Sequence, residues 1–273
     1  AYPPEDPRQH WGHIVSKDLI HWKDLPLAIY PNPEEKCFSG QTLVEKDRVI
    51  AAYPGNNYGL IIAVSSDPLL LNWKKLEMKP VNATTGQPTK RPMGDACIWK
   101  EGEFYYVISG GKKGKGTKRM RTEQLHRSKN LVDWEINFVD NFREYDRYAM
   151  VGDDGSCPNF WPIGDRHMLL SFSHVTGGNY SLGDYDTNRQ KFSETHYGQF
   201  NFGGVYEPGA VLAPSAAPDG NGSLNVIFNM AYAKPTEGWN QVMTLPRKLT
   251  LISENKIAIK NLFDNDVPAF SGL

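Results

Sequence analysis

Three cysteines, a lone serine and a basic run are the first residues in this 273-residue chain whose types suggest chemistry. Cys37, Cys97 and Cys157 are an odd set, with no CxxC pair and no histidine spacing suited to zinc. They read as buried free thiols, and no metal site follows from them. Ser156 lacks the G-x-S-x-G elbow of a nucleophilic serine, so a Ser-His-Asp triad has no support there. Residues 112–121 are Gly-rich and lysine-rich without aromatics, and read as a solvated hairpin loop. Lys plus Arg is 30 and Asp plus Glu is 31, for a net charge of -1. That balance gives no pull toward nucleic acid or an anionic membrane. No apolar run approaches the ~20 residues of a spanning helix. The opening AYPPEDP does not read as a signal peptide. Sequons at Asn82, Asn179 and Asn221 agree with secretion. What remains for chemistry is carboxylates and aromatic rings.

Those side chains need a frame, and the chain repeats itself in a way that supplies one. VSKDLIHW at 15–22 recurs as VSSDP at 64–68 running on to Asn72 and Trp73, and as RSKNLVDW at 127–134. The shared skeleton is a strand ending in Ser, a polar turn with Asp or Asn, an apolar residue, then Trp. Alternating with it are apolar strands rich in β-branched and aromatic residues at 48–53, 103–109, 167–173 and 224–231. Gly55, Gly110 with Gly111, and Gly177 with Gly178 follow three of them as turn signals. With 25 Gly, 19 Pro and 12% aromatics, turns joining strands are favoured over helices. A four-stranded unit every 50 to 60 residues is a β-propeller blade. The segments around Trp22, Trp73 and Trp134 mark three blades. The strand at 167–173 with LGDYD at 182–186 gives a fourth, and 224–251 a fifth. No linker interrupts them, so residues 1–273 are expected to form a single all-β, five-bladed domain.

Several segments then resemble glycoside hydrolase family 32, the invertase and fructanase family. HWGHIVSKDLIHW at 10–22, followed by LPLA at 25–28, is similar to that family's HWGHAVSxDLxHWxxLPxAL stretch. CFSG at 37–40 resembles its FSG motif, and LGDYD with Lys191 and Phe192 its GxYD…F segment. Gly238 and Trp239, then LPRKLTL at 245–251, resemble its GWxxxxxxPRxLxL segment. The resemblance implies a five-bladed propeller with an axial, funnel-shaped site, lacking here the family's C-terminal β-sandwich. It implies retaining hydrolysis of β-fructosides such as sucrose, inulin or levan, by a carboxylate nucleophile and a carboxylic acid. No metal or organic cofactor is implied, and the partner is a carbohydrate.

The family's three carboxylates map unevenly. Its WMNDPNG nucleophile motif has no counterpart; Asp6 in PEDP is the superficial match. GDACIWKEG at 94–102 aligns with RDPxVWxxG, which places Asp95 as transition-state stabiliser, or simply as a turn residue before a strand. The family Arg is Gly94 here, with Arg91 nearby as a replacement. SCPNF at 156–160 aligns with ECPDxF, so Ser156 stands at the acid/base position. A serine hydroxyl is far too weak an acid for that task. Asp153, Asp154 and Glu207 are the alternative acids. Trp11, Phe38 and Ser39 fall at funnel positions, and Trp161, Tyr206 and Trp239 are further wall candidates or inter-blade core. Three readings follow: a β-fructosidase-type hydrolase, a carbohydrate-binding pseudoenzyme, or a structural propeller recruited into an assembly.

Overall fold

The repeated Ser-turn-Trp segment is a folded device. In the computed structural model, which describes residues 3, 5–145, 147–149, 151–201, 205, 207, 210–230 and 241–262, the first and third copies close in the same way, and in the second Asp67 caps the Leu69 and Leu71 N–H groups. Ser128 Oγ accepts the N–H groups of Asn130 and Leu131 at 3.2 and 2.9 Å. Asn130 Oδ1 accepts those of Val132 and Asp133 at 2.9 and 2.8 Å. Ser16 and Asp18 do the same work in the first copy. The leucines at the bend, Leu19, Leu70 and Leu131, take positive φ of 61°, 53° and 68°. A side chain resists that conformation, and the fixed hydrogen bonds hold it there. The Trp73 and Trp134 indoles donate to the Leu70 and Leu131 carbonyls at 2.8 Å.

These turns join the outer strands of sheets. β1 (Trp11–Ser16) and β2 (Trp22–Ile29) form a two-stranded ladder. β3 (Gln41–Val44), β4 (Val49–Gly55), β5 (Gly59–Ser65) and β6 (Lys74–Lys75) form the first full blade. β7 (Lys79–Asn82), β8 (Ala96–Glu101), β9 (Phe104–Lys113), β10 (Met120–Ser128) and β11 (Asp133–Val139) form the second, with β7 parallel to β11 at its outer edge. β12 (Ser156–Ile163), β13 (Arg166–Ser173), β14 (Gly177–Asp186) and β15 (Lys191–Gln199) form the third. β16 (Val211–Pro218), β17 (Leu224–Met230), β18 (Val242–Met243), β19 (Arg247–Ser253) and β20 (Lys256–Asn261) form the fourth. The innermost strands β3, β8, β12 and β16 touch in that order.

Apolar layers fill each gap between sheets. Trp134 is fully buried between the first and second blades, among Ile50, Leu60, Ile62, Ile98 and Val107. Phe142, Phe160 and Phe192 fill the second gap; Met168, Leu182 and Leu224 fill the third. Tyr53 and Ile61 seat the β1–β2 ladder through Ile29 and Trp11. The reading of Trp as blade packing holds for Trp134. It fails for Trp22, which is 42% exposed.

Four blades are formed among the described residues, not five. The segment at 15–22 builds only the ladder, because β1 pairs with β2 alone. Gly110 and Gly111 lie inside β9 rather than in a turn. Asn179 is buried and accepts the Ser171 hydroxyl at 2.6 Å, so its sequon is closed to a glycan. The chain tolerates loss of Trp22 far better than loss of Trp134. Trp134→Ala is expected to cost about 3–5 kcal/mol, and Trp22→Ala under about 1 kcal/mol, both read by urea denaturation.

Candidate active site

Strand direction decides where the candidate residues meet. β8 and β12 neighbour each other and both begin at one end of the axis. Asp95 therefore stands immediately before β8, close to the first residues of β12. Its Oδ2 accepts the Cys157 N–H at 2.9 Å and faces the Cys157 sulfur at 3.5 Å. Cys157 adopts φ 49°, which turns its amide toward that carboxylate. Burial raises the Asp95 carboxyl above its ordinary value, and the Cys157 amide opposes the rise. Burial also raises the Cys157 thiol, with Asp95 adding to it, so this sulfur is no thiolate nucleophile. Ser39 is exposed, and its hydroxyl acts on the Cys157 thiol in the opposite, lowering direction. The neighbouring Phe38 carbonyl accepts the Trp11 indole N–H at 2.9 Å. Trp11, Phe38, Ser39, Asp95 and Cys157 are thus one connected group.

Trp11 lies against Tyr53, ring centroids 5.1 Å apart, and also lines a cavity of 650 Å³ with Gln41, Asn159, Trp161, Ser215 and Asn225. Neither Asp95 nor Ser156 is among the walls of that cavity. Trp161 donates its indole N–H to Ala216 O at 3.0 Å, so it is partly structural. Trp239 and Tyr206 lie outside the described residues. Asp6 is clasped by Arg8 through both carboxylate oxygens at 2.7–3.1 Å, and those bonds hold its carboxyl well below the usual range. Glu207 is exposed. Arg91 stacks on Tyr58 at 4.5 Å and donates to Leu60 O, so it does not replace an arginine beside Asp95.

Gly94, where the resemblance places an arginine, has no room for a side chain. A Cβ on Gly94 would sit 1.7 Å from the Gly110 carbonyl oxygen, and one on Gly110 would sit 2.6 Å from that of Gly155. Backbone packs on backbone here, leaving no room for any side chain. Gly155 in turn lies over Arg121, whose Nε would be 2.5 Å from a Cβ at that position.

Beneath this loop is a buried ionic layer that the sequence reading missed. Arg121 lies in the basic run expected to be solvated, yet it is 1% exposed. It donates to Glu123 Oε1 at 2.5 Å and to Asn179 Oδ1 at 3.2 Å. Arg143 donates to Glu123 Oε2 at 2.6 Å and to Glu194. Burial pushes the Glu123 carboxyl up, but the two guanidiniums outweigh it and hold it at about 2. Asp153 closes the layer, its Oδ1 accepting the Gly155 N–H at 3.0 Å and its Oδ2 facing Arg121 at 3.7 Å. Arg121 and Glu123 alternate along one face of β10, which was the available signal.

The model of the glycosyl hydrolases family 32 N-terminal domain matches residues 2–261. The chain belongs to this family. It is 28% identical to a sucrose-6-phosphate hydrolase of Zymomonas mobilis over 286 residues, covering 92% of this chain and 53% of that protein. It is 25% identical to the cell wall β-fructofuranosidase of Pisum sativum, covering 90% and 50%. The family 32 chain thus spans about half the length of the curated relatives it matches. Among solved structures, a mutant Bombyx mori family 32 β-fructofuranosidase in complex with sucrose superposes with a TM-score of 0.70 at 24% identity, covering 94% and 58%. The fold is an all-β propeller, as the repeat predicted.

The raised carboxyl of Asp95 carries a pH signature. The folded state favours the protonated form. Stability from that preference is fully present below the ordinary carboxylate value and is lost as pH rises through the raised one. Asp95→Asn keeps a neutral acceptor for the Cys157 amide. It is therefore expected to stabilise the protein more at pH 8 than at pH 4. Thermal melts at the two pH values check this.

Proposed function

We propose that this chain recognises β-fructosides at the Trp11–Ser39–Asp95 group, and that it does not run the family's retaining two-carboxylate hydrolysis at normal rates. The observation that carries the reading is the Asp95–Cys157 contact, which joins the segments resembling the RDP and ECP motifs at the start of two inner strands. An aromatic face such as Trp11 suits the C–H surface of a sugar ring. The carboxylate of Asp95 and the hydroxyl of Ser39 suit sugar hydroxyls. Curated relatives named as sucrose-6-phosphate hydrolases and β-fructofuranosidases support the same substrate class. Against normal turnover stand Ser156 at the acid position, Gly94 at the arginine position and Asp6 locked to Arg8.

We further propose that β1 and β2 are the outer half of a fifth blade. In the copies at Trp73 and Trp134, the strand before the turn pairs on both edges; β1 pairs on one. Trp22, Ile14 and Ile20 remain 42%, 49% and 43% exposed on this ladder. Two further strands on the free edge of β1 would cover that surface.

Incubation with sucrose, inulin and levan should release fructose roughly 10²–10⁴-fold more slowly than the Zymomonas mobilis hydrolase, the usual worth of a positioned acid. Family-typical turnover would overturn the catalytic half of the proposal. In calorimetry, Trp11→Ala should abolish sucrose binding, and Asp95→Asn should weaken it about tenfold. Unchanged affinity in both variants would remove the binding site from this mouth.

A further inference from the structure

The three alternative acids occupy different environments. Asp153 is buried and committed to the Gly155 amide and Arg121. Glu207 is exposed in the segment before β16. Asp154 is different: its side chain is 19% exposed, and both its oxygens are directed at one histidine. Oδ2 lies 2.5 Å from His174 Nδ1, and Oδ1 accepts the His174 backbone N–H at 3.2 Å. The imidazole also meets the Phe172 ring edge-on at 4.7 Å. Ser173 Oγ accepts the N–H groups of Val175 and Thr176, which fixes the turn that carries His174.

This pair belongs to the mouth. The hairpin between β13 and β14 rises at the end where β12 begins. The charges of Asp154 and His174 both act on Asp95, with opposite sign. Because a carboxylate can only accept, His174 Nδ1 carries the proton in this contact. Nε2 is then the free ring nitrogen, on a side chain that is 62% exposed.

We propose that His174, oriented by Asp154, is the proton-transfer group of this mouth, in the role that Ser156 is unable to fill. The assignment rests on the β-fructoside reading given above. In the forward step Nε2, having taken a proton from solvent, gives it to the glycosidic oxygen while Nδ1–H stays on Asp154. The bond from that oxygen to the anomeric carbon breaks, and its electron pair stays on the oxygen. Water adds to the anomeric carbon and returns one proton to Nε2. The sum is one glycoside plus one water giving two sugars. His174 is the group that would touch the reacting oxygen; Asp154 is a positioning residue that fixes the tautomer and ring orientation.

The test uses imidazole nitrogen NMR on the protein labelled at histidine and tryptophan, with sucrose as ligand. The free protein should show the Nδ1–H tautomer at His174, and Asp154→Ala should switch it to the Nε2–H form. Sucrose should move the His174 Nε2 and Trp11 indole resonances together. A Trp11 response without a His174 response would overturn this assignment while leaving the binding reading intact. If neither moves, the binding reading falls and the assignment with it.

The residual fructose release gives a second readout. His174→Gln should slow sucrose hydrolysis about 10²-fold. It should leave hydrolysis of β-fructosyl fluoride, whose leaving group needs no proton, within about twofold. Equal losses on the two substrates, or no release by the unaltered protein from either, would overturn the assignment.

Discussion

One side-chain amide holds the axis together. Asn159, near the middle of β12, donates to the Cys157 and Pro214 carbonyls at 3.1 and 2.9 Å. Its Oδ1 accepts the Gln41 amide and the Ala216 N–H, each at 3.2 Å. Gln41 Oε1 then accepts the Ile98 N–H at 3.1 Å. Two amides thereby tie β3, β8, β12 and the β16 region, four strands from four blades. Inner strands of a propeller diverge outward and lack ladder bonds to one another, so their polar groups need such bridges. Every donor and acceptor of Asn159 is engaged, which is the condition under which a buried polar group adds order. An aspartate here would present only acceptors to two carbonyl oxygens.

The site inherits its geometry from that clamp. Asn159 fixes Cys157 O, so the Cys157 backbone is held from behind while its amide reaches forward to Asp95. Beneath the adjoining loop, Arg121 and Arg143 with Glu123, Glu194 and Asp153 form a rigid floor. A buried ion layer of this kind is a weak source of net stability, because desolvation offsets attraction. Its contribution is positional: it sets where residues 153–155 lie, and so where Asp154 meets His174. Asp95 shows the complementary case. It is desolvated, and neither the Cys157 amide nor the His174 charge offsets that, so its charged form is disfavoured. Sites that bind or react commonly keep such a locally unfavourable group, and relieving it trades function for stability.

Much of the fold was legible because its signals are local and periodic. The Ser-Asx-Leu-Trp turn is closed by bonds within a few residues, and the apolar strands alternate as a pleated surface requires. Blade count was less legible, since whether Trp22 is covered depends on strands that neither turn nor period encodes. The motif singled out Asp95 as a candidate, and the structure places its carboxylate against the Cys157 amide. Arg121 was misread because composition placed it in a lysine-rich loop. Its burial follows from partners 58 and 22 residues away, Asn179 and Arg143, the latter through Glu123. His174 was invisible for the same reason. Nothing in its own neighbourhood marks it, and Asp154 meets it only because β12 and β13 form a hairpin.

Gly94 and Gly155, the residue before Ser156, belong to one stack of close backbone contacts. Gly94 touches Gly110, Gly110 touches Gly155, and Gly155 touches Arg121, each contact too close for a Cβ. A side chain at 94 would meet the Gly110 carbonyl, and the chain before Ser156 lies against the buried Arg121. An arginine at 94 displaces the Gly110 strand. The four residues form one alternative packing solution, in which backbone contact replaces the side-chain pair. Any proton chemistry at this mouth must therefore come from a group outside that stack, and the Asp154–His174 pair stands at its edge.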